Sequence, residues 1–501
     1  MVIGFDFFTP SSDANFWMDK MKMYLNTLFL ITLITIGFNS HGAERGDVKK
    51  TTNKRPNILF ILADDHRWDL LGKNHPIIKT PNLDALANQG VSFSNSFVTT
   101  PICASSRISI LTGLTERTHD FTFSRPATGA IESDNIYPKK LKDSGYTSGF
   151  VGKYEIKLSG DDSDRFDFFE PLLHSKTNTY KGSEIPQTHY ITQKAKDFIV
   201  NMHDTSKPWV LNVNFWNPHA LDSDKENQYH YPAKFENLYS DITIPPAKLS
   251  DDETFVALPE FLKKSIGRVR WEYRYANDAM YQKMIKRHYR AITAVDEGVG
   301  QIIAQLEKLG MLQNTIVIYT GDNGYSLNER QLAGKWFGWE EDLRVPLIIY
   351  DPRNSEHKGV SIDETVLNID IAPTILDYAD VAIPQTYQGN SLLGLVEGEK
   401  MPSWREEFFF EHMYQPKRVS IPPMVGVRTN NWKFVDFYKN NYLQLYNLIE
   451  DPQEKLNLAT LPEYKSKVEY FRKRTDEYIK KYESERSKEV SSRASFLNSR
   501  D

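Results

Sequence analysis

Five short runs of this chain are rich in apolar residues, the first apolar at nearly every position, and most stop abruptly in polar, chemistry-bearing residues. Asn57–Ala63, reading Asn-Ile-Leu-Phe-Ile-Leu-Ala, ends in Asp64-Asp65. The run over 146–151 ends at Gly152-Lys153, and Trp209–Phe215 is followed by Asn217-Pro218-His219. The run over 315–320 leads into Gly321-Asp322-Asn323-Gly324, and that over 345–350 into Asp351-Pro352. A strand with one wet face alternates polar and apolar residues. A run that is apolar throughout is covered on both faces, as in a parallel sheet between helices. The covering helices are legible too. Over 289–309, Ile292, Val295, Val299, Ile302, Ile303 and Leu306 share one face. Over 81–90, Leu83 and Leu86 point inward, with Pro near the start and Gly at the end. The predicted class is α/β, with a large, mostly parallel sheet whose carboxyl edge is the expected ligand site.

Composition narrows the function. The 501 residues are 40% apolar and 25% charged, enough apolar content for a packed core. The net charge of -5 leaves no basic excess to neutralise phosphates, so a general nucleic-acid binder is not expected. Cys103 is the single cysteine, which rules out an intramolecular disulfide and a multi-thiolate zinc site.

Residues 1–43 read as an export signal region. Lys20 and Lys22 precede a short apolar stretch over 24–38, and Gly42-Ala43 follow. That stretch is shorter than the ~20 residues of a spanning helix, so no stable membrane anchor is expected. Residues 1–19 fit no such signal, which points to translation from Met21 or Met23. Residues 44–54 read as a linker and 55–385 as the catalytic domain. Alternating runs such as Phe408-Phe409-Phe410 and Lys433-Phe434-Val435, then a helix over 462–482, make 386–482 a smaller antiparallel α+β subdomain. The charged tail, 483–501, reads as frayed.

The polar ends carry the chemistry. Adjacent carboxylates at Asp64-Asp65 repel unless a cation neutralises them, although a lone pair could equally be an exposed turn. Asp322-Asn323 after a second buried strand tips the balance toward a metal. Three carboxylates and an amide are hard oxygen ligands, suited to Ca²⁺, with Mg²⁺ second, rather than zinc. Cys103 precedes a helix start over 106–111 and stands one turn from Arg107, a setting that favours anions. On these grounds alone it is either a low-pKa nucleophile or a structural thiol.

The run Cys103-x-Ser105-x-Arg107, followed by Leu111-Thr112-Gly113, resembles the signature of the type I, formylglycine-dependent sulfatases, which share an alkaline-phosphatase-like fold. The other segments follow in the family's order. They are Asp64-Asp65, Gly152-Lys153, Asn217-Pro218-His219, Gly321-Asp322-Asn323-Gly324 and Ala333-Gly334-Lys335, with Arg428 to Lys433 and Leu445 to Leu448 downstream. The likeness covers about residues 55 to 460. It implies oxidation of Cys103 to formylglycine (3-oxoalanine) by a maturation enzyme. It also implies metal ligands Asp64, Asp65, Asp322, Asn323 and the modified Cys103, and catalytic Arg107, Lys153, His219 and Lys335. His219 or Lys335 would protonate the departing alcohol. The expected substrate is a sulfated carbohydrate, an algal polysaccharide or its oligosaccharides, met in the periplasm or outside the cell. Within the family, the chain resembles bacterial polysaccharide sulfatases.

Two departures from the family stand out. Many relatives carry His two residues beyond the Gly-Lys lysine, where this chain has Glu155. Glu155 takes that role, another group such as His119 does, or Glu155 points away. Arg330 stands where relatives often have His, as a substrate contact or a surface arginine. His66, next to the aspartate pair, lines the pocket or stands behind it. The aromatic segment 271–275 stacks on sugar or packs as core. Two rival functions remain: a phosphodiesterase or phosphonate hydrolase on the same scaffold, disfavoured by Asn323 and the Cys103 segment, and a catalytically silent glycan-binding protein.

Overall fold

The computed structural model describes residues 55–123 and 125–493. The expected export signal, linker and extreme C-terminus lie outside them. Among the described residues no helix is long and apolar enough to cross a membrane.

The five apolar runs are strands, and they share one sheet. In chain order the sheet uses β1 (Asn57–Ala63), β2 (Val91–Phe93), β3 (Thr147–Lys153), β4 (Phe168–Leu172), β5 (Trp209–Phe215), β6 (Thr315–Gly321), β7 (Leu347–Tyr350) and β8 (Val360–Ile362). Their lateral order is β8-β2-β7-β6-β1-β5-β3-β4. The neighbours from β6 to β4 pair in parallel, and β7 runs against both β6 and β2. The mostly parallel α/β sheet is therefore as expected. Every residue of β1, β5 and β6 is buried.

Helices cover both faces. Even-numbered side chains of β1, such as Ile58, Phe60 and Leu62, pack against the helix α1 (Cys103–Thr112) through Ala104, Ile108 and Leu111. Odd-numbered ones, Leu59 and Ile61, pack on the opposite face with Phe198 and Ile199 of α2 (Gln187–Met202) and with Val295, Val299 and Ile302 of α3 (Asp278–Lys308). This two-residue period divides one strand between two cores. The 31-residue α3 begins well before the periodic stretch, capped by the Asn277 side chain on Met280 N.

The C-terminal part has a four-stranded antiparallel sheet of β9 (Glu407–His412), β10 (Met424–Thr429), β11 (Trp432–Phe437) and β12 (Tyr442–Asn447). Phe408 and Phe410 face the large domain through Phe97, Trp339 and Val345. Phe409 and Phe434 face α4 (Lys465–Ser484) through Phe471. No gap separates the two parts: the described residues belong to a single compact unit. The expected frayed tail is corrected up to residue 493. Lys488–Arg493 is helical, Val490 is buried, and Arg493 Nη1 donates to Ala127 O at 2.5 Å.

Candidate active site

Parallel pairing lines up the carboxyl ends. Ala63 stands opposite Phe215 on one side and Gly321 on the other. The next residues, Asp64 and Asp322, therefore emerge side by side, with Asp322 N donating to Ala63 O at 3.1 Å. The order β6-β1-β5-β3-β4 then sets Asp322-Asn323, Asp64-Asp65, the turn to His219, Lys153 and the exit from β4 in one row. Neighbouring strands stand about 4.8 Å apart, so the row is short enough for one site.

Each side chain is placed by a local feature. Asp65 has φ +64, a conformation Asp tolerates better than most residues, and its N–H donates to Asp322 Oδ1 at 3.1 Å. Lys153 follows Gly152, whose φ is +106; a Cβ there would lie 1.9 Å from Asn214 O. Glycine lets β3 approach β5 closely enough to aim Lys153 inward. Lys335 follows a two-residue ribbon, Ala333–Gly334 paired with Ser326–Leu327. Cys103 is the first residue of α1, and Arg107, four residues on, lies on the same face of that helix.

The polar groups interlock. Lys153 Nζ bonds Asp64 Oδ2. Lys335 Nζ lies 2.6 Å from Asp65 Oδ1 and 3.5 Å from Asp64 Oδ1. Arg107 Nε donates to Asp322 Oδ2 at 2.9 Å, and its Nη1 donates to Lys153 O at 3.0 Å and Asn214 Oδ1 at 3.1 Å. Asn323 Nδ2 donates to Asp65 Oδ1 at 2.7 Å. His219 Nδ1 lies 2.7 Å from Ala220 O; a carbonyl only accepts, so Nδ1 carries the proton and Nε2 faces Asp65 Oδ2 at 3.8 Å.

Three carboxylates buried almost completely create an electrostatic problem. Burial, with Asp64 and Asp322 nearby, pushes the Asp65 carboxyl up to about 7 against the pull of Lys335. Burial and Asp64 also raise Asp322. Asp64 ends well below the usual range, because Lys153, His219 and Lys335 overcome its burial. The lysines and Arg107 are held fully charged by the same carboxylates, in spite of burial. Burial drives His219 well down, so it rests neutral. Burial also raises the Cys103 thiol, in spite of Lys153 and Lys335. An unmodified Cys103 is thus a poor thiolate nucleophile, and the low-pKa alternative is corrected. Nor does Cys103 belong to any of the apolar clusters of the described residues.

The donor set fits a divalent cation. Asp64 Oδ1 and Asn323 Oδ1 are buried with no hydrogen-bond partner, and both are hard oxygens. Ligand atoms of Asp64, Asp65 and His219 all lie within 4.8 Å of one another.

The structure thus brings together Asp64, Asp65, Cys103, Arg107, Lys153, His219, Asp322, Asn323 and Lys335. Glu155 stands at the edge, about one-third exposed, 3.0 Å from Lys153 Nζ. Three other candidates do not line the site. His66 is fully buried, takes the Tyr319 hydroxyl on Nδ1 at 2.6 Å and donates from Nε2 to Leu70 O at 3.1 Å. His119 bonds Ser109 Oγ at 3.1 Å and Phe121 N at 3.1 Å. Ser105 and Ser109 occupy the helix face roughly opposite Cys103 and Arg107, so His119 sits behind α1. Arg330 is not a surface arginine. It is buried, pairs with Glu341 at 3.2 Å, donates to Gln453 O at 2.8 Å and covers Trp339. The 271–275 segment packs as core through Arg274 and Tyr275. Sequence reasoning missed Trp216, whose ring centre lies 4.4 Å from Lys153 Nζ, and Asn214, which holds Arg107. Asn214 lies in a run otherwise read as apolar, and that polar residue inside a buried strand was the available signal.

An anion-binding, cation-ready cluster at the carboxyl edge of such a sheet defines a hydrolase of esters bearing a tetrahedral anion. The sulfatase family model matches residues 56–381, and the chain belongs to that family and is a sulfuric ester hydrolase. A second model, the C-terminal region of N-sulphoglucosamine sulphohydrolase, matches 328–481 and overlaps the first, in keeping with the absence of a clean boundary near 385. The chain is 29% identical over 500 residues to an N-acetylglucosamine-6-O-sulfatase of Bacteroides thetaiotaomicron, covering 87% of this chain and 88% of that one. It is 25% identical over 442 residues to an ulvan-active sulfatase of Formosa agariphila, covering 82% and 78%. A solved structure holding its substrate D-glucosamine-2-N,6-O-disulfate matches with a TM-score of 0.73 and 27% identity over 86% of this chain and 99% of that one. A phosphonate monoester hydrolase from Silicibacter pomeroyi also has a TM-score of 0.73, at 20% identity over 85% and 96%, a likeness of fold alone.

Proposed function

We propose that this chain is an exported sulfatase that removes sulfate from a sulfated carbohydrate, using a formylglycine made from Cys103 and a bound calcium ion. The observation that carries the reading is the gathering of Arg107, Lys153 and Lys335 on three buried aspartates beside the first residue of α1. A sulfate monoester is anionic and repels nucleophiles, so its site must supply positive charge before anything else.

Asp64, Asp65, Asp322 and Asn323, with the modified residue 103, would hold the cation. When bound, it would polarise the ester and lower the pKa of the attacking hydroxyl. Hydrated formylglycine supplies that hydroxyl, and a second one whose proton loss re-forms the aldehyde as sulfate departs. The chain's own groups do the remaining work. Arg107, fixed by three hydrogen bonds, orients residue 103 and neutralises charge. Lys153 and Lys335 take sulfate oxygens. Lys335 keeps its proton at neutral pH and is the source for the leaving alcohol; neutral His219 holds its proton on Nδ1, away from Asp65, and accepts at Nε2.

The names of the matched relatives favour sulfated amino sugars, and the ulvan-active relative keeps an algal polysaccharide as the second substrate class. Mass spectrometry of the Cys103 peptide from the native host tests the modification, which replaces CH₂SH by CHO. A plain thiol would overturn it. Sulfate release from sulfated amino sugars and algal oligosaccharides, set beside phosphate esters and phosphonates, tests the activity. Faster cleavage of the phosphorus esters would favour the phosphonate-hydrolase reading instead.

A further inference from the structure

The chain leaves β4, next to β3 at the edge of the sheet, through Leu173 and His174. The His174 ring lies parallel to Trp216, with centroids 4.5 Å apart and planes within 8°. It meets His219 edge-on at 5.7 Å. Trp216 therefore joins His174 to Lys153, whose ammonium lies 4.4 Å from the indole centre. His174 is half-buried, and neither of its ring nitrogens has a hydrogen-bond partner among the described residues. Stacking alone fixes the ring. Leu173 beside it is 86% exposed, the most exposed large apolar side chain among the described residues.

An oriented imidazole with free nitrogens, next to the histidine that faces the aspartates, is built to meet something in the site. Burial and the neighbouring Lys153 push the ring down to about 4, so it is neutral at pH 7. Neutral imidazole offers one donor and one acceptor, the complement of a hydroxyl rather than of a second sulfate or a carboxylate. Leu173, exposed and next to His174 in the chain, offers an apolar surface that suits the C–H face of a sugar ring.

We propose that His174 is a substrate-contacting residue that holds a free hydroxyl of the sulfated sugar, with Leu173 packed against the sugar ring. This rests on the carbohydrate sulfatase reading. The mature enzyme would be assayed on a panel of sulfated monosaccharides and on 4-nitrophenyl sulfate, with His174→Ala, His174→Gln and Leu173→Ala, and with melting points as a folding control. Losing one hydrogen bond to a hydroxyl should raise KM for the best sugar about tenfold with His174→Ala. The aryl ester should change less than about twofold, and His174→Gln, which keeps a donor and an acceptor, should recover part of the loss. Equal losses on both esters, or none on the sugar, would overturn the assignment while leaving the sulfatase reading standing. Wild-type enzyme that releases sulfate from neither ester would overturn that reading, and this proposal with it.

Discussion

Arg107 Nε meets Asp322 Oδ2 at 2.9 Å, although 215 residues separate them, and both are almost completely buried. The contact ties α1, which opens with Cys103, to the end of β6. It therefore couples the reacting residue to the metal set, and it is the joint on which the site's geometry depends.

Replacing Arg107 by Ala should be costly on two counts. It removes fixed charge from the site, which lowers kcat/KM by about 10²–10³. It also leaves Asp322 buried and unpaired, with a stability loss on the order of 3–5 kcal/mol. Steady-state kinetics and denaturant unfolding check the two separately. Wild-type kinetics in the variant would show that Arg107 is only structural.

Chelation should abolish turnover, because the attacking hydroxyl would lose the cation that lowers its pKa. Calcium should restore activity better than magnesium, since buried side chains supply most of the oxygens and Mg²⁺ retains its waters. Full activity after exhaustive dialysis against chelator, with no metal found by elemental analysis, would remove the cation from the reading.

Gly152→Ala tests the placement of Lys153. Its Cβ would press on Asn214 O at a φ of +106, so β3 and β5 must separate. We expect activity to fall by about 10²-fold and stability by about 2 kcal/mol or more, far beyond an ordinary glycine substitution. A variant within about 0.5 kcal/mol of wild type would mean that this stretch of backbone yields easily.

Glu155→Gln removes a partly exposed partner of Lys153, which stays bonded to Asp64. Solvent screens the exposed Glu155 end of the pair and Lys153 keeps its Asp64 partner, so the loss should stay within about 1 kcal/mol and turnover should change less than about fivefold. A fall beyond about 50-fold, five times the tenfold step that 1.4 kcal/mol represents, would give Glu155 a direct part in the chemistry.

Acid should weaken the fold through His119. Phe121 N donates to its Nδ1, and burial pushes the ring down to about 3. A depressed histidine contributes stability that is present above its unfolded value of about 6.5 and is lost as pH falls toward the folded one. Melting temperature should therefore drop between pH 6.5 and 3, with His119→Gln flattening the slope. An unchanged slope in that variant would assign the acid sensitivity elsewhere, as to His412, which burial also drives down to about 3.

Much of this was legible in the chain. Apolar-rich runs located the five central strands, because a strand covered on both faces carries few polar residues. The residues after each run marked the candidate ligands, and Cys103-x-Ser105-x-Arg107 marked the family. The short strands β2, β4 and β8 were not legible, since three to five residues carry too little periodicity. Nor was the docking of 488–493, where the only cue is the single apolar Val490.

What tertiary structure alone decided is which of the polar residues meet. His66 stands next to the aspartate pair in sequence, yet it turns to Tyr319; His174 is 45 residues from His219, yet it lies edge-on to it. Arg330, a surface residue by composition, is buried against the Trp339 ring. Side-chain period reports whether a residue faces a core, but not which strand will be its neighbour. Lateral strand order and parallel register set those neighbours, through pairings between residues hundreds of positions apart.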